Sequence, residues 1–298
     1  MPAYTASSAG PATALFSGLW VPLVTPFEPD GRVDHAALSA LTARLRGEGV
    51  SGFVACGSTG EAAALDKAEQ LAVLETVLQA AQGLPVVMGV SGYHLGQMLA
   101  WVRELAGFPL AGLLVPAPHY IRPAQPGLLQ WFRAIADASS APLVLYDIPY
   151  RTGAPLATDT LLALAEHPRV TAVKDCGGDA AKTQAIIADG RLAVLAGEDA
   201  QMFNTLALGG SGAVAASAHW QTTRFVELIA VLRQGDLPRA RTVWAALQPW
   251  VAACFAEPNP APLKALMAQA GWMHNVLRAP MTAASPALES RLRRFSRP

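Results

Sequence analysis

The chain of 298 residues sets 22 Lys and Arg against 22 Asp and Glu, carries 15% charged residues and is 52% hydrophobic. A balanced charge gives no field to attract nucleic acid or an anionic membrane, and no run is long and apolar enough to span a bilayer. The three cysteines, Cys56, Cys176 and Cys254, stand far apart with no CxxC or His-rich spacing, which argues against a structural zinc and for a reducing, cytoplasmic compartment.

Residues 1–17 are rich in Ala, Ser, Thr, Pro and Gly, lack a basic or sustained apolar stretch, and read as a disordered lead-in. From residue 18 one pattern recurs: a short apolar run, a turn, then a helical stretch. Strands are predicted over 19–24, 52–56, 85–90, 112–115, 142–146, 170–174, 192–196 and 212–216, with helices over 34–47, 67–81, 96–106, 126–138, 157–166 and 180–188. The runs are Val, Leu, Ile and Ala without polar alternation, as expected of parallel strands covered on both faces. Eight evenly repeated units fit a closed (β/α)8 barrel, of the α/β class, over 18–221. A doubly wound open sheet fits less well, because no GxGxxG opens the first helix. Beyond it, helices over 222–234, 237–255 and 262–270 make residues 222–298 a C-terminal helical appendage. Its basic end at 291–294 reads as a solvated helix face.

In such a barrel, polar residues at the C-terminal ends of strands are the candidates for chemistry. After the second strand, Gly57-Ser58-Thr59-Gly60-Glu61 offers close backbone approach and two hydroxyl donors suited to a small carboxylate; the same composition also makes a plain turn. After the fourth, Pro118-His119-Tyr120-Ile121-Arg122 is an aromatic loop suited to substrate or to a subunit interface. At the fifth strand, Tyr146 is a phenol able to pass protons and Arg151 a guanidinium able to clamp a carboxylate; a buried tyrosine and a surface arginine would look the same. The sixth strand ends on Lys174. An amine at the end of a buried apolar run either finds an anion, with Asp175 the nearest in sequence, snorkels to the surface, or sits as a neutral nucleophile for carbonyl groups.

The motifs GSTGE at 57–61, YDIPYRTG at 146–153, VKD at 173–175 and EPNPAPLK at 257–264, in that order, resemble the dihydrodipicolinate synthase and N-acetylneuraminate lyase family of class I pyruvate aldolases. The resemblance runs from residue 18 to about residue 280. It implies a Schiff base between Lys174 and the keto carbon of pyruvate, with no metal or organic cofactor. Thr59 would hold the pyruvate carboxylate, Ser58 would link Tyr146 to Tyr120 in a proton relay, and Gly197 and Val214 would line the pocket. Tyr120 would come from a neighbouring subunit, making a dimer the minimal unit within a homotetramer, a dimer of dimers. Arg151 favours synthases that condense pyruvate with aspartate semialdehyde over lyases acting on sugar acids or other 2-keto-3-deoxy acids. A barrel that binds a small molecule without turnover is the alternative of another class. Three positions depart from the synthase pattern: Asp147 replaces asparagine, Ser58 replaces threonine, and Asp175-Cys176-Gly177-Gly178 replaces a glutamate-led segment.

Overall fold

The computed structural model describes residues 15–295. Eight parallel strands close in sequence order into a barrel: β1 (Gly18–Pro22), β2 (Gly52–Ala55), β3 (Val86–Gly89), β4 (Gly112–Pro116), β5 (Leu143–Asp147), β6 (Val170–Asp175), β7 (Ala193–Ala196) and β8 (Gly212–Val214). A helix follows each strand: α1 (His35–Gly47), α2 (Lys67–Ala81), α3 (Leu95–Glu104), α4 (Gln125–Ala138), α5 (Thr158–Leu164), α6 (Ala180–Asp189), α7 (Met202–Ala207) and α8 (Thr222–Arg233). In chain order α8 follows β8, at the start of the helical region expected from residue 222, and Gly49, in the turn after α1, lies against its Val226. Three further helices follow, α9 (Leu237–Cys254), α10 (Ala261–Gln269) and α11 (Pro286–Leu292).

The chemistry of the strands explains their placement. Every residue of β1, β2, β3, β5, β6, β7 and β8 is buried, the signature of strands covered on both faces. Gly212 opens β8 because a Cβ there would lie 2.2 Å from the carbonyl oxygen of Gly18, so only glycine allows that approach. Asp34 and Asp66 cap α1 and α2 by accepting from Ala37 N–H and Glu69 N–H, satisfying donors that a helix start leaves open. Helices α7 and α11, like the one-turn helix Pro149–Thr152, are not suggested by the sequence pattern; at six, seven and four residues they are too short to show a helical period.

Contacts divide the chain into two compact units, one comprising Val90–Ala213 with the segment ending at Gly18, the other Leu19–Gly89 with the chain from Val214 onward. In the first unit Phe16, expected within the lead-in, is buried, and a Cβ on Gly112 would come within 3.0 Å of its ring. Residues 1–14 of the expected lead-in, and Arg297 in the basic end, lie outside the described residues. Arg291, Arg293 and Arg294 are exposed. No helix among the described residues is long and apolar enough to cross a membrane, and no cluster of three or more His, Cys, Asp or Glu among them could hold a metal.

In the second unit a buried histidine ties the end of β8 to the end of β1. Val24 N–H donates to His219 Nε2 at 3.2 Å, so Nδ1 carries the proton and donates to Ala216 O at 2.8 Å. Burial pulls the pKa of His219 down to about 4 from its ordinary 6.5. The folded protein refuses a proton that the unfolded chain takes near pH 6.5, so this contribution is whole above that pH and is lost as pH falls toward 4. The loss amounts to roughly 3 kcal/mol. Urea unfolding at pH 7 and pH 4.5 is expected to show a steeper acid loss of stability in the native chain than in His219→Gln; equal slopes would contradict this assignment.

Candidate active site

Neighbouring residues on a strand point to opposite faces of the sheet, and β5 and β6 are aligned so that Tyr146 sits beside Lys174 and Asp147 beside Asp175. One face therefore carries a phenol and an amine, the other two carboxylates. Lys174 Nζ donates to Tyr146 Oη at 3.3 Å and lies 4.3 Å from the centre of the phenol ring. Both residues are only 6% exposed, so Lys174 does not snorkel to solvent. It does not pair with Asp175 either, whose Oδ1 accepts from Gly177 N–H at 2.8 Å and whose Oδ2 accepts from the Thr183 hydroxyl. Among the described residues no carboxylate forms an ion pair with Lys174.

Gly197, directly after β7, makes room for this amine. A Cβ there would lie 2.6 Å from Lys174 Cγ and 2.6 Å from Cys176 Sγ, so any side chain would displace the lysine. Burial pushes the Cys176 thiol up to about 12, which keeps it neutral and unreactive. Half-buried Glu198 has its carboxyl raised, first by burial and then by Asp199, against the pull of Lys174.

On the reverse face, Asp147 is almost wholly buried and accepts from Lys182 Nζ and, at 3.1 Å, from Leu156 N–H. Lys182 also donates to Leu156 O at 3.2 Å. Burial raises the Asp147 carboxyl and Lys182 draws it back down. The aspartate that replaces the synthases' asparagine therefore spends its charge on a lysine of α6, behind the sheet. Lys182 went unremarked in the sequence; its one signal is a position on the buried face of α6, shared with Thr183 and Ile186.

The second unit carries the Gly57–Glu61 loop. Gly60 N–H donates to Gly57 O at 3.0 Å, and the Thr25 hydroxyl donates to Gly60 O at 2.7 Å, fixing the turn to the segment after β1. Within it Ser58 is exposed and Thr59 buried. Thr59 Oγ1 accepts from Asn259 Nδ2 at 2.9 Å. Glu61, buried in left-handed backbone at φ 52°, accepts from Lys264 Nζ at 2.5 Å and from Arg278 N–H at 3.1 Å. Lys264 is fully buried over the Phe27 ring, and burial pulls its amine to about 8 while Glu61 opposes the shift. Asn259 and Lys264 belong to EPNPAPLK, a segment whose location in the helical appendage suggested no chemical part. The legible signal was a lysine inside the apolar α10.

The remaining candidates are Tyr120, Arg151 and Val214. Tyr120 is 90% exposed with φ 76° and makes no hydrogen bond among the described residues, so within one chain it is not brought onto Tyr146. Arg151 is exposed on a one-turn helix, Pro149–Thr152, and forms no ion pair among the described residues. Val214 ends β8 and is buried.

The model of the dihydrodipicolinate synthetase family matches residues 15–295. 4-Hydroxy-tetrahydrodipicolinate synthase 2 of Clostridium acetobutylicum is 34% identical over 282 residues, which cover 93% of this chain and 98% of that relative. The chloride-inhibited dihydrodipicolinate synthase of Acinetobacter baumannii complexed with pyruvate superposes with a TM-score of 0.91 at 30% identity, over 94% of this chain and 97% of that one. A monomeric dihydrodipicolinate synthase variant superposes with a TM-score of 0.91 at 28% identity, over 95% and 96%. Matched along its described length in sequence and in fold, the chain belongs to the dihydrodipicolinate synthetase family.

Proposed function

We propose that the chain is a Schiff-base-forming lyase that condenses pyruvate with L-aspartate 4-semialdehyde to give 4-hydroxy-tetrahydrodipicolinate, a step of lysine biosynthesis. The observation that carries this reading is Lys174, a buried amine without an ion-pair partner among the described residues, hydrogen-bonded to a phenol. An amine so held is a nucleophile, and a phenol within hydrogen-bond reach is a proton carrier.

The steps follow from these groups. The Lys174 amine attacks the keto carbon of pyruvate, and the carbinolamine loses water as Tyr146 delivers the proton. The protonated imine draws electrons from the methyl group, which gives up a proton to leave an enamine. The enamine carbon attacks the aldehyde carbon of the semialdehyde. The amine of that substrate then attacks the imine carbon and displaces Lys174, closing a six-membered ring. The imine is the electron sink throughout, so no step calls for a metal or an organic cofactor. Thr59 binds the pyruvate carboxylate and Ser58 passes protons between Tyr146 and Tyr120, while Gly197 and Val214 wall the site.

Tyr120 completes the relay from a second copy of the chain. An aromatic left in water on a left-handed turn supports that reading, since such side chains are favoured anchors at interfaces. A dimer is then the minimal competent unit, assembled in pairs as a tetramer. The three cysteines, which form no disulfide among the described residues, favour the reducing cytoplasm as the site of the reaction.

Arg151 is assigned to the semialdehyde carboxylate, since an exposed guanidinium with no ion pair among the described residues is available for bidentate binding. Arg151→Ala is expected to lower kcat/KM for the semialdehyde by about 100-fold, the scale of a lost charge-assisted bond, while pyruvate is still captured on Lys174. Unchanged kcat/KM would instead favour an aldolase acting on a sugar acid or another 2-keto-3-deoxy acid.

A further inference from the structure

We propose that Asn259, supplied from beyond the barrel, is a positioning residue that aims the Thr59 hydroxyl at the substrate carboxylate. Thr59 is buried, yet its main-chain N–H makes no hydrogen bond among the described residues. Its Oγ1 accepts from Asn259 Nδ2 at 2.9 Å. A hydroxyl has one proton to give. With Asn259 donating to the oxygen, that proton must turn away from the amide, and it has no acceptor among the described residues. Thr59 is thereby left with two uncommitted donors side by side, its N–H and its O–H, which is what a carboxylate oxygen pair accepts.

The support behind Asn259 is rigid. The segment runs on into α10, whose Lys264 is fully buried and ion-paired with Glu61, two residues from Thr59. Arg278, further along, donates to Ala64 O at 2.8 Å and to Glu69 at 2.5 Å. Both ends of the loop's hydrogen bonding are therefore fixed from the same stretch of chain. The other amide atom, Asn259 Oδ1, is buried without a partner among the described residues. A residue kept for packing alone would gain from losing that unsatisfied acceptor.

The inference rests on pyruvate being the ligand of this loop, and one set of measurements separates the two claims. Pyruvate KM and kcat are measured with the semialdehyde for the native chain, Asn259→Ala, Asn259→Asp, Thr59→Val and Thr59→Val/Asn259→Ala, alongside borohydride capture of pyruvate by each. Asn259→Ala is expected to raise pyruvate KM about tenfold with kcat changed far less, as befits a lost bond to a charged group. Asn259→Asp matches asparagine in shape and so stays folded if alanine does not. Its carboxylate accepts a hydrogen bond from the Thr59 hydroxyl and repels the substrate, so KM should rise further, by about fiftyfold. Adding Asn259→Ala to Thr59→Val should raise KM no further, because the hydroxyl it orients is already gone. Multiplying effects in the double variant, a milder effect of aspartate than of alanine, or native KM in the Asn259 variants would each overturn the inference while capture by the native chain upholds the pyruvate reading. Absence of capture by the native chain would sink both.

Discussion

Lys174→Met is expected to fold normally and to lose turnover by at least about 10³-fold, the scale on which removal of a covalent nucleophile acts. The two halves of that expectation come from the same geometry. Lys174 Nζ bonds the Tyr146 hydroxyl and has no ion-pair partner among the described residues. Removing the amine therefore strands no buried counter-charge, and methionine fills the space of the lysine stem. Thermal unfolding should move by a few degrees at most, while kcat collapses. A Lys174 variant that turns over at a tenth of the native rate would show that the amine is not the nucleophile.

Lys182→Met should do the reverse and strike stability first. Asp147 is 1% exposed and its charge is met by Lys182. Losing one partner of a buried pair leaves the other charge uncompensated, at a cost of about 3–5 kcal/mol. Burial already raises the Asp147 carboxyl in the native chain. Without Lys182 only the Leu156 N–H is left to oppose that rise, so the folded variant binds a proton the unfolded chain has released, and its stability falls as pH rises above the ordinary carboxylate range. Urea midpoints should thus lie closer to native at pH 5 than at pH 8. Adding Asp147→Asn to Lys182→Met should recover most of the loss, by restoring the neutral residue that the resembling synthases carry there. A native urea midpoint for Lys182→Met at pH 8 would contradict the pairing.

How far the sequence alone revealed this molecule follows from how far apart the interacting residues lie. Parallel strands buried on both faces are apolar runs, so all eight were legible, and an amine ending such a run made Lys174 conspicuous. The direction of Asp147 was not legible, because its partner is 35 positions away on a helix. The strand alternation turns Asp147 to the opposite face from Tyr146. The joining of Asn259 to Thr59 and of Lys264 to Glu61 spans 200 and 203 positions. No local pattern carries such contacts, although a lysine amid Ala, Pro, Leu and Met on α10 marks a buried charge in need of a partner. Tyr120 was legible as an aromatic on a loop, and only its 90% exposure distinguishes a residue offered outward from one folded into its own chain.

The proposed chemistry begins with a covalent bond between Lys174 and pyruvate. Incubation with pyruvate, reduction by borohydride and peptide mass analysis tests it directly. The expected result is a reduced pyruvate adduct on Lys174, with Lys182 and Lys264 unmodified because each is buried against a carboxylate. An intact enzyme that turns over with no adduct, or one whose adduct sits on another lysine, would contradict it.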